Sequence, residues 1–388
     1  MPIEFSERLK ALPPYLFKEL DRIRDEVKSR GVDVIDLGVG DPDRPTPPNV
    51  IAALSQAAAD PKNHQYPVYS GMNSFLDAVS RWYKRRHGVS LDPTTEICSL
   101  IGSKEGLAQF PLAFVNPGDA VVAPEPAYPV YRSGTIFAGG TIHYAPLLEK
   151  NGFLPDYRAI PAEVLKKAKI IWVNYPNNPT GAAASLDFYK GLVEFARERE
   201  LIVASDAAYS EVTWSGRPHP SVLEAPGAKD VAIEFHSLSK TYNMTGWRIG
   251  WAAGAPNLIK GLGLVKSNVD SGVFQAVQWA AIEALEGPQD SVKAMGELYR
   301  ERREAVVQGL KAAGLRAFPT EYTFYVWVKA PEGLKSADFA SRVLNEAGVV
   351  VTPGNGFGPS GEGWARIALV QEIDRLKEAA ARLAKLNF

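Results

Sequence analysis

One stretch of the chain, residues 235–250, combines a lysine that could act as a nucleophile with groups that could bind an anion. Lys240 follows two hydroxyl residues, Ser237 and Ser239, and Arg248 comes eight positions later. A lysine amine can form a Schiff base with an aldehyde, and hydroxyls with a guanidinium can hold a phosphate. The stretch therefore suits a cofactor that carries both groups, for which pyridoxal phosphate is the obvious candidate. The alternative is a polar turn followed by a surface arginine.

A carboxylate and a phenol follow the apolar segment 201–204, which is typical of a buried strand. At the end of a strand in an α/β sheet, Asp206 would point into the ligand crevice. Opposite a pyridine nitrogen it would favour the protonated ring, which withdraws electrons from a substrate carbanion. Tyr209 could bond the ring oxygen. Without Lys240, a carboxylate that caps the next turn would be an equally good interpretation of Asp206.

Three more side chains have types that suit the same site. Asn178 precedes a proline, which restrains its backbone, and its amide could donate to the same ring oxygen as Tyr209. Tyr128 lies between prolines and could stack on a flat ring. Arg366 lies among apolar neighbours and could bind a substrate carboxylate with both prongs of its guanidinium. The plain alternatives are a β-turn, loop packing and an internal salt bridge.

Composition limits the class of protein. The 388 residues are enough for two domains, and 46% hydrophobic with 22% charged residues is ordinary for a globular protein. A net charge of −1 argues against a general attraction to nucleic acid or to an anionic membrane. The single cysteine, Cys98, excludes an internal disulfide framework and a CxxC metal site. Because the N-terminus does not look like a signal peptide and no apolar run approaches a membrane span, we expect a cytoplasmic protein with neither a nucleic-acid nor a membrane partner, and without a metal.

The elements that must position these residues follow from the pattern of the chain. Apolar strands and helical segments alternate between residues 96 and 253, which predicts a mostly parallel sheet between helices. A glycine turn at 102–106 joins a strand to a helix and offers backbone N–H groups to a phosphate. A short strand is predicted at 34–40. After Gly314 the pattern changes to a smaller α+β unit. We therefore expect an α/β fold, with a large domain at 45–286 and a small domain built from 1–44 and 287–388.

With these residues named, the chain resembles fold-type I pyridoxal-phosphate enzymes of the class I and II aminotransferase family over nearly its whole length. The motifs that carry the resemblance are Asn-Asn-Pro-Thr-Gly at 177–181, Asp-Ala-Ala-Tyr at 206–209, Ser-Leu-Ser-Lys at 237–240 and Gly-Trp-Arg at 246–248. The resemblance implies that Lys240 forms the Schiff base and shuttles a proton. It places Asp206 on the ring nitrogen, and Asn178 and Tyr209 on the ring oxygen.

The resemblance also implies a phosphate site and a shared dimeric site. The residues implied around the phosphate are Ser103, Lys104, Ser237, Ser239 and Arg248. Tyr128 would stack on the ring, and Arg366 would bind the substrate α-carboxylate. The family relationship implies a homodimer whose active sites lie at the interface, where Tyr66 would reach the phosphate of the neighbouring subunit.

Longer stretches, among them 12–17, 99–106 and 269–275, are similar to one bacterial group in this family, the LL-diaminopimelate aminotransferases. That similarity implies ping-pong transfer between LL-2,6-diaminopimelate and 2-oxoglutarate in lysine biosynthesis. The distal ammonium and carboxylate of this substrate need a second polar pocket, whose edge we expect at Lys104, Tyr15 and Tyr128, while Gly40 lets the backbone approach the substrate.

Other functions remain open at this point. An aspartate, alanine or aromatic aminotransferase of the same family differs by few residues, and a pyridoxal-phosphate lyase or decarboxylase would use the same carbanion. A regulatory protein that binds DNA is disfavoured because there is no helix-turn-helix segment and no basic excess. A nicotinamide dehydrogenase is disfavoured because no strand runs into a G-x-G-x-x-G motif.

Overall fold

A seven-stranded sheet lies at the centre of the structure, which is a computed structural model that describes residues 3–12, 16–386 and 388. The strands of the chain are β1 (Ile35–Asp36), β2 (Ile97–Leu100), β3 (Ala120–Glu125), β4 (Thr141–Pro146), β5 (Ala168–Asn174), β6 (Ile202–Asp206), β7 (Ala232–Ser237), β8 (Gly250–Gly254), β9 (Tyr325–Lys329), β10 (Val349–Val350), β11 (Thr352–Pro353) and β12 (Trp364–Ala368). The large sheet has the order β2-β8-β7-β6-β5-β3-β4. Strand β8 runs opposite to the other six strands of this sheet. The predicted α/β class with a mostly parallel sheet is confirmed.

Helices cover both faces of the large sheet and surround the smaller sheets. The α-helices are α1 (Glu7–Lys10), α2 (Leu16–Ser29), α3 (Pro48–Ala59), α4 (Asn73–His87), α5 (Ser103–Phe114), α6 (Val130–Phe137), α7 (Ala162–Leu165), α8 (Leu186–Arg197), α9 (Ala228–Val231), α10 (Leu238–Thr241), α11 (Pro256–Val269), α12 (Gln275–Glu286), α13 (Asp290–Ala312), α14 (Ser336–Ala347) and α15 (Ile373–Leu383). No helix in the described part of the chain is both long and apolar enough to cross a membrane.

Most residues of the central strands are apolar because both faces of these strands are buried. Every residue of β2, β3, β7 and β8 is buried. On one face, Trp172 of β5 and Phe235 of β7 pack with Phe110 of α5. On the other face, Val173 of β5 packs in a cluster that contains Leu192 of α8. This packing fixes the strand ends at which the polar residues of the candidate site lie.

The C-terminal part of the chain forms two small sheets beside the large one. Strands β11, β12 and β9 form an antiparallel sheet, and β1 pairs in parallel with β10. The core of this part joins Val306 of α13, Phe339 of α14 and Leu376 of α15. The N-terminal strand thus lies with C-terminal elements. The division into a large domain at 45–286 and a small domain built from 1–44 and 287–388 remains a prediction.

The strand predicted at 34–40 is shorter than expected, since β1 ends at Asp36. The next carbonyl groups have other partners. Gly38 O accepts hydrogen bonds from Thr352 Oγ1 at 2.9 Å and from Arg366 Nη2 at 2.7 Å. Gly40 O accepts from Lys240 Nζ at 3.0 Å. The segment therefore leaves the sheet to bind side chains of the candidate site.

Candidate functional site

A cavity of about 400 Å³ lies at the carboxyl end of β6, between the large sheet and strands β9 and β12. Twelve residues that the sequence assigns to the site line it together: Gly40, Ser103, Lys104, Tyr128, Asn178, Asp206, Tyr209, Ser237, Ser239, Lys240, Arg248 and Arg366. Tyr66 does not line this cavity, and 88% of its surface is exposed. Tyr15, the other predicted substrate contact, lies outside the described residues.

Lys240 lies on the short helix α10 and its amine is held inside the cavity. Its Nζ atom donates to the backbone oxygen of Gly40 at 3.0 Å. Burial lowers the pKa of Lys240 to about 8; Asp41 opposes this shift, while Arg366 and Arg248 add to it. A neutral amine is the nucleophilic and basic form of lysine. The site therefore makes that form accessible near neutral pH.

Asp206 ends β6 and lies at the bottom of the cavity. Tyr131 donates its hydroxyl to Asp206 Oδ2 at 2.7 Å, and the backbone N–H of Ala208 donates to Oδ1 at a longer 3.4 Å. The neighbouring strand contributes Asn174, whose Nδ2 donates to Asp206 O at 2.8 Å. Burial raises the pKa of Asp206 to about 6, although the bond from Tyr131 works against that shift. A cationic N–H donor opposite this carboxylate would favour its charged form.

Arg366 lies buried on β12 and is held by neutral acceptors and aromatic rings. Its Nη1 donates to Asn178 Oδ1 at 2.8 Å, and its Nη2 donates to Gly38 O at 2.7 Å. The guanidinium carbon lies 4.4 Å from the ring centroid of Tyr325 and 4.7 Å from that of Phe357. The guanidinium therefore lies at the cavity that it lines, where its fork geometry suits a carboxylate.

The bond from Arg366 also orients the amide of Asn178. Because Oδ1 accepts from the guanidinium, the Nδ2 group is the one left to donate elsewhere. The backbone is fixed as well, since the Asn178 N–H donates to Asn174 Oδ1 at 2.9 Å. One hydrogen bond therefore couples Arg366, which could bind a carboxylate, to Asn178, whose amide could donate to a ring oxygen.

The start of α5 and the side chain of Arg248 form an anion-binding corner. Two glycines allow the close approach: a Cβ atom on Gly102 would lie 2.3 Å from Arg248 Nη2, and one on Gly250 would lie 3.1 Å from Ser103 N. Arg248 has a left-handed backbone with φ of 56° and donates its Nη1 to Thr245 O at 2.7 Å. Free N–H groups at a helix start and an adjacent guanidinium are suited to a phosphate.

The donor set fits pyridoxal phosphate. The cavity offers an amine for the aldehyde, a buried carboxylate for the ring nitrogen, an amide and a phenol for the ring oxygen, and a basic corner for the phosphate. Tyr128 lines the same cavity and provides an aromatic face. These observations establish where the groups lie; the roles given to them above remain predictions.

Three residues at this site were not identified from the sequence. Asn174 opens the amide-rich segment 174–181 and could have been considered with Asn178. Tyr131 follows Tyr128 by three positions, but nothing local indicates that its hydroxyl meets Asp206. Tyr325 occurs in an apolar strand, so its type and position indicate only a core residue. Its hydroxyl nevertheless reaches the cavity, 3.0 Å from that of Tyr209.

Comparisons with known proteins cover nearly the whole chain. Residues 32–383 match the family "Aminotransferase class I and II". The LL-diaminopimelate aminotransferase of Aquifex aeolicus (strain VF5) is 59% identical over 385 residues, which cover 99% of this chain and 100% of the relative. The protein of the same name from Syntrophobacter fumaroxidans is 57% identical over 383 residues, 99% of each chain. The substrate-bound BacF structure from Bacillus subtilis has a TM-score of 0.94 at 38% identity, covering 100% of this chain and 99% of BacF.

Proposed function

The chain belongs to the class I and II aminotransferase family, whose members depend on pyridoxal phosphate, and we propose that it transfers an amino group between LL-2,6-diaminopimelate and 2-oxoglutarate. The reaction class rests on one observation above all: Lys240 of α10, Asp206 of β6 and Arg366 of β12 line one cavity. The substrate rests on the names of two relatives that align end to end at 59% and 57% identity.

When bound, pyridoxal phosphate supplies the electron sink for the carbanion that forms at the substrate Cα. Asp206 would hold its ring nitrogen, while Asn178 and Tyr209 would donate to its ring oxygen. Tyr128 would cover one face of the ring. The phosphate would be held by Ser103, Lys104, Ser237, Ser239 and Arg248. Tyr209 suits its role because burial raises its pKa well above the ordinary value, so the phenol keeps the proton that it donates.

Proton transfer is assigned to Lys240. Its amine would take the proton from the substrate Cα and deliver it to the C4′ carbon of the cofactor. Arg366 would hold the α-carboxylate and thereby orient the Cα–H bond. The two residues are also coupled by charge, because Arg366 helps to lower the pKa of Lys240. A carboxylate bound to Arg366 would offset that influence, so substrate binding would make Lys240 a stronger base.

The distal end of diaminopimelate carries its own ammonium and carboxylate. Lys104 lies with its Nζ 6.0 Å from the ring centroid of Tyr128, and both line the cavity. We assign these two side chains to the polar edge of the distal pocket, with Tyr15 as a third contact and the Gly40 backbone beside the substrate. Lys104 could also serve the phosphate, since it is the second residue of α5.

A homodimer with shared active sites is part of the proposal. Helices α11 and α12, the residue before α12 and the segment 63–71 carry exposed apolar side chains at Tyr66, Val68, Leu264, Val269, Phe274 and Trp279. The segment is tied to α12 because Gln275 Nε2 donates to Gln65 O at 3.2 Å and Trp279 Nε1 to Asn63 Oδ1 at 3.2 Å. Exposed apolar patches mark protein interfaces. Tyr66 would cross this interface to the partner's phosphate site, and light scattering on the purified protein would measure the mass.

The substrate proposal is tested by mixing the cofactor-loaded enzyme separately with LL-diaminopimelate, aspartate, alanine and an aromatic amino acid, in a single turnover. The measurement follows loss of the visible band of the lysine-bound cofactor. We expect rapid conversion with LL-diaminopimelate alone, and restoration of the band on adding 2-oxoglutarate. Conversion by one of the others instead would keep the aminotransferase and discard the substrate. Conversion that 2-oxoglutarate does not reverse would support a lyase.

A further inference from the structure

Tyr325 of β9 touches three groups of the proposed site at once. Its hydroxyl oxygen lies 3.0 Å from that of Tyr209, within hydrogen-bond distance. Its ring lies under the guanidinium of Arg366, at 4.4 Å. It also packs against Gly40, where a Cβ atom would lie 2.2 Å from the Tyr325 hydroxyl oxygen. Tyr325 is buried, with 2% of its surface exposed, so these contacts hold the phenol in one position.

Tyr209 and Tyr325 each have one hydroxyl proton, and the hydrogen bond between them uses one of the two. A phenol donates one hydrogen bond and can accept others. If Tyr209 donated to Tyr325, its proton would be unavailable to the ring oxygen of the cofactor. If Tyr325 donates to Tyr209, the Tyr209 proton is left for the cavity. Within the described part of the chain, the Tyr209 oxygen is the hydrogen-bond partner of the Tyr325 hydroxyl. The direction of this one bond therefore decides what Tyr209 can do.

The surroundings of Tyr209 favour the second direction. The charged and titratable groups that face it are Arg366 on β12, Asp206 at the end of β6, Lys240 on α10 and Tyr325 itself. Its raised pKa, caused first by burial, keeps Tyr209 protonated. An anionic ring oxygen in the cavity would attract that proton more strongly than a neutral phenol does, because hydrogen bonds to ionised acceptors are the stronger ones.

We propose that Tyr325 is a positioning residue: it donates its hydroxyl proton to Tyr209 and so directs the Tyr209 hydroxyl to the ring oxygen of the cofactor. The inference rests on the proposed role of Tyr209. It also links two parts of the molecule, because Tyr209 follows a strand of the large sheet and Tyr325 begins a strand of the small one. The small sheet thus orients a cofactor contact of the large sheet, in addition to supplying Arg366.

The test is a pH titration of the visible absorbance of the cofactor-loaded enzyme, in the wild type, Tyr209→Phe, Tyr325→Phe and the double variant. A donor on the ring oxygen stabilises its anionic form, so Tyr209→Phe should raise the spectral pKa. Tyr325→Phe should raise it in the same direction by roughly half a pH unit, the size of one modest hydrogen-bond change. In the Tyr209→Phe background, Tyr325→Phe should add no further shift, since its effect passes through Tyr209.

Tyr299→Phe is the matched control. Tyr299 is buried and packs against Phe324 at 5.2 Å between ring centroids, and its hydroxyl has no hydrogen-bond partner among the described residues. This variant should titrate as the wild type does; a shift as large as that of Tyr325→Phe would assign the effect to packing and overturn the proposal. In Tyr325→Phe the phenylalanine ring stays under Arg366. The KM of that variant for the amino donor should therefore change less than about twofold.

The outcomes separate this inference from its premise. A shift in Tyr209→Phe with none in Tyr325→Phe would overturn the positioning role and leave Tyr209 as proposed. No shift in Tyr209→Phe would overturn the assignment of Tyr209 to the ring oxygen, and the inference with it. Additive shifts in the double variant would show that Tyr325 acts on the cofactor by another route. A large rise in KM for Tyr325→Phe would assign the hydroxyl to substrate binding instead.

Discussion

Two buried lysines of this protein differ in one respect that decides what each can do. Lys266 on α11 has no exposed side-chain surface, and its Nζ meets Glu105 at 2.9 Å and Asp270 at 3.1 Å. Lys240 is also largely buried, yet its amine donates to a neutral backbone oxygen. Burial acts against the charged form of both. The carboxylates around Lys266 outweigh it and raise the pKa, whereas the pKa of Lys240 falls to about 8.

Two buried carboxylates differ in the same way as the two lysines, but the directions of their pKa shifts are reversed because their charge is negative. Glu234 accepts from His236 Nε2 at 2.8 Å, Tyr83 OH at 3.1 Å and Ser221 Oγ at 2.7 Å. Burial opposes its charge, but the donors, His236 first, prevail and lower its pKa to about 2. Asp206 has fewer donors, and its pKa rises to about 6. Among the residues that the structure describes, Lys266 and Glu234 meet opposite charges or several donors, while Lys240 and Asp206 at the cavity have fewer such partners. Groups of the second kind can bind ligands.

The sharpest test of the contrast is to remove each lysine. Lys240→Ala should abolish the visible absorbance that depends on the lysine-bound cofactor and lower kcat by at least about 10⁴-fold, because both the nucleophile and the base are lost. Absorbance spectra and steady-state rates measure this. Lys266→Met is the matched variant and should keep the visible band. Retention of the band in Lys240→Ala would contradict the assignment of this lysine.

Asp206→Asn should separate function from stability. Loss of the charge opposite the ring nitrogen should slow removal of the Cα proton roughly 10²- to 10³-fold. A folded-state pKa above the unfolded value means that Asp206 disfavours folding as pH rises from 3.8 through about 6. Without cofactor at pH 8, the variant should therefore be more stable than the wild type, by roughly 3 kcal/mol. Denaturant unfolding would measure this; an apoprotein less stable than the wild type would refute it.

Lys266→Met should lower the stability of the protein, in contrast to Asp206→Asn, and should keep the visible band of the bound cofactor. It leaves two largely buried carboxylates, Glu105 and Asp270, without their cation, and removing one partner of a buried pair costs about 3 kcal/mol. The measurement is the free energy of unfolding in denaturant. Lys293→Met, at an exposed position on α13, controls for the loss of a lysine. Equal stability of the two variants would show that the Lys266 cluster is not needed for folding.

The last expected effect concerns acid stability and is confined to low pH. The depressed pKa of Glu234 means that its contribution is present above about pH 4.5 and is lost as pH falls towards about 2. Glu234→Gln should be less stable at neutral pH but lose less stability over that window, by about 3 kcal/mol. Unfolding at a series of pH values gives the slope. An unchanged slope would mean that other carboxylates carry the acid response.

The predictions from sequence succeeded where a motif is local and failed where a contact is not. The α/β class and the family are confirmed because alternating apolar segments and short motifs such as 237–240 carry them within a few residues. The strand at 34–40 was predicted too long, since the carbonyls of Gly38 and Gly40 have side-chain partners hundreds of positions away. Tyr325 was missed for the same reason. An apolar strand gives no sign of which phenol faces a cavity.

The sequence by itself determined the chemical groups: a lysine near hydroxyls and an arginine, a carboxylate after a strand, an amide before a proline, and the sheet that carries them. Tertiary structure decided the charge state and direction of each group. Arg366 meets Asn178 across 188 positions of the chain, and Lys240 meets Gly40 across 200. A pKa depends on burial and on nearby charges, and a hydrogen bond depends on where its partner lies. Both are properties of neighbours in space, and only the folded chain brings those neighbours together.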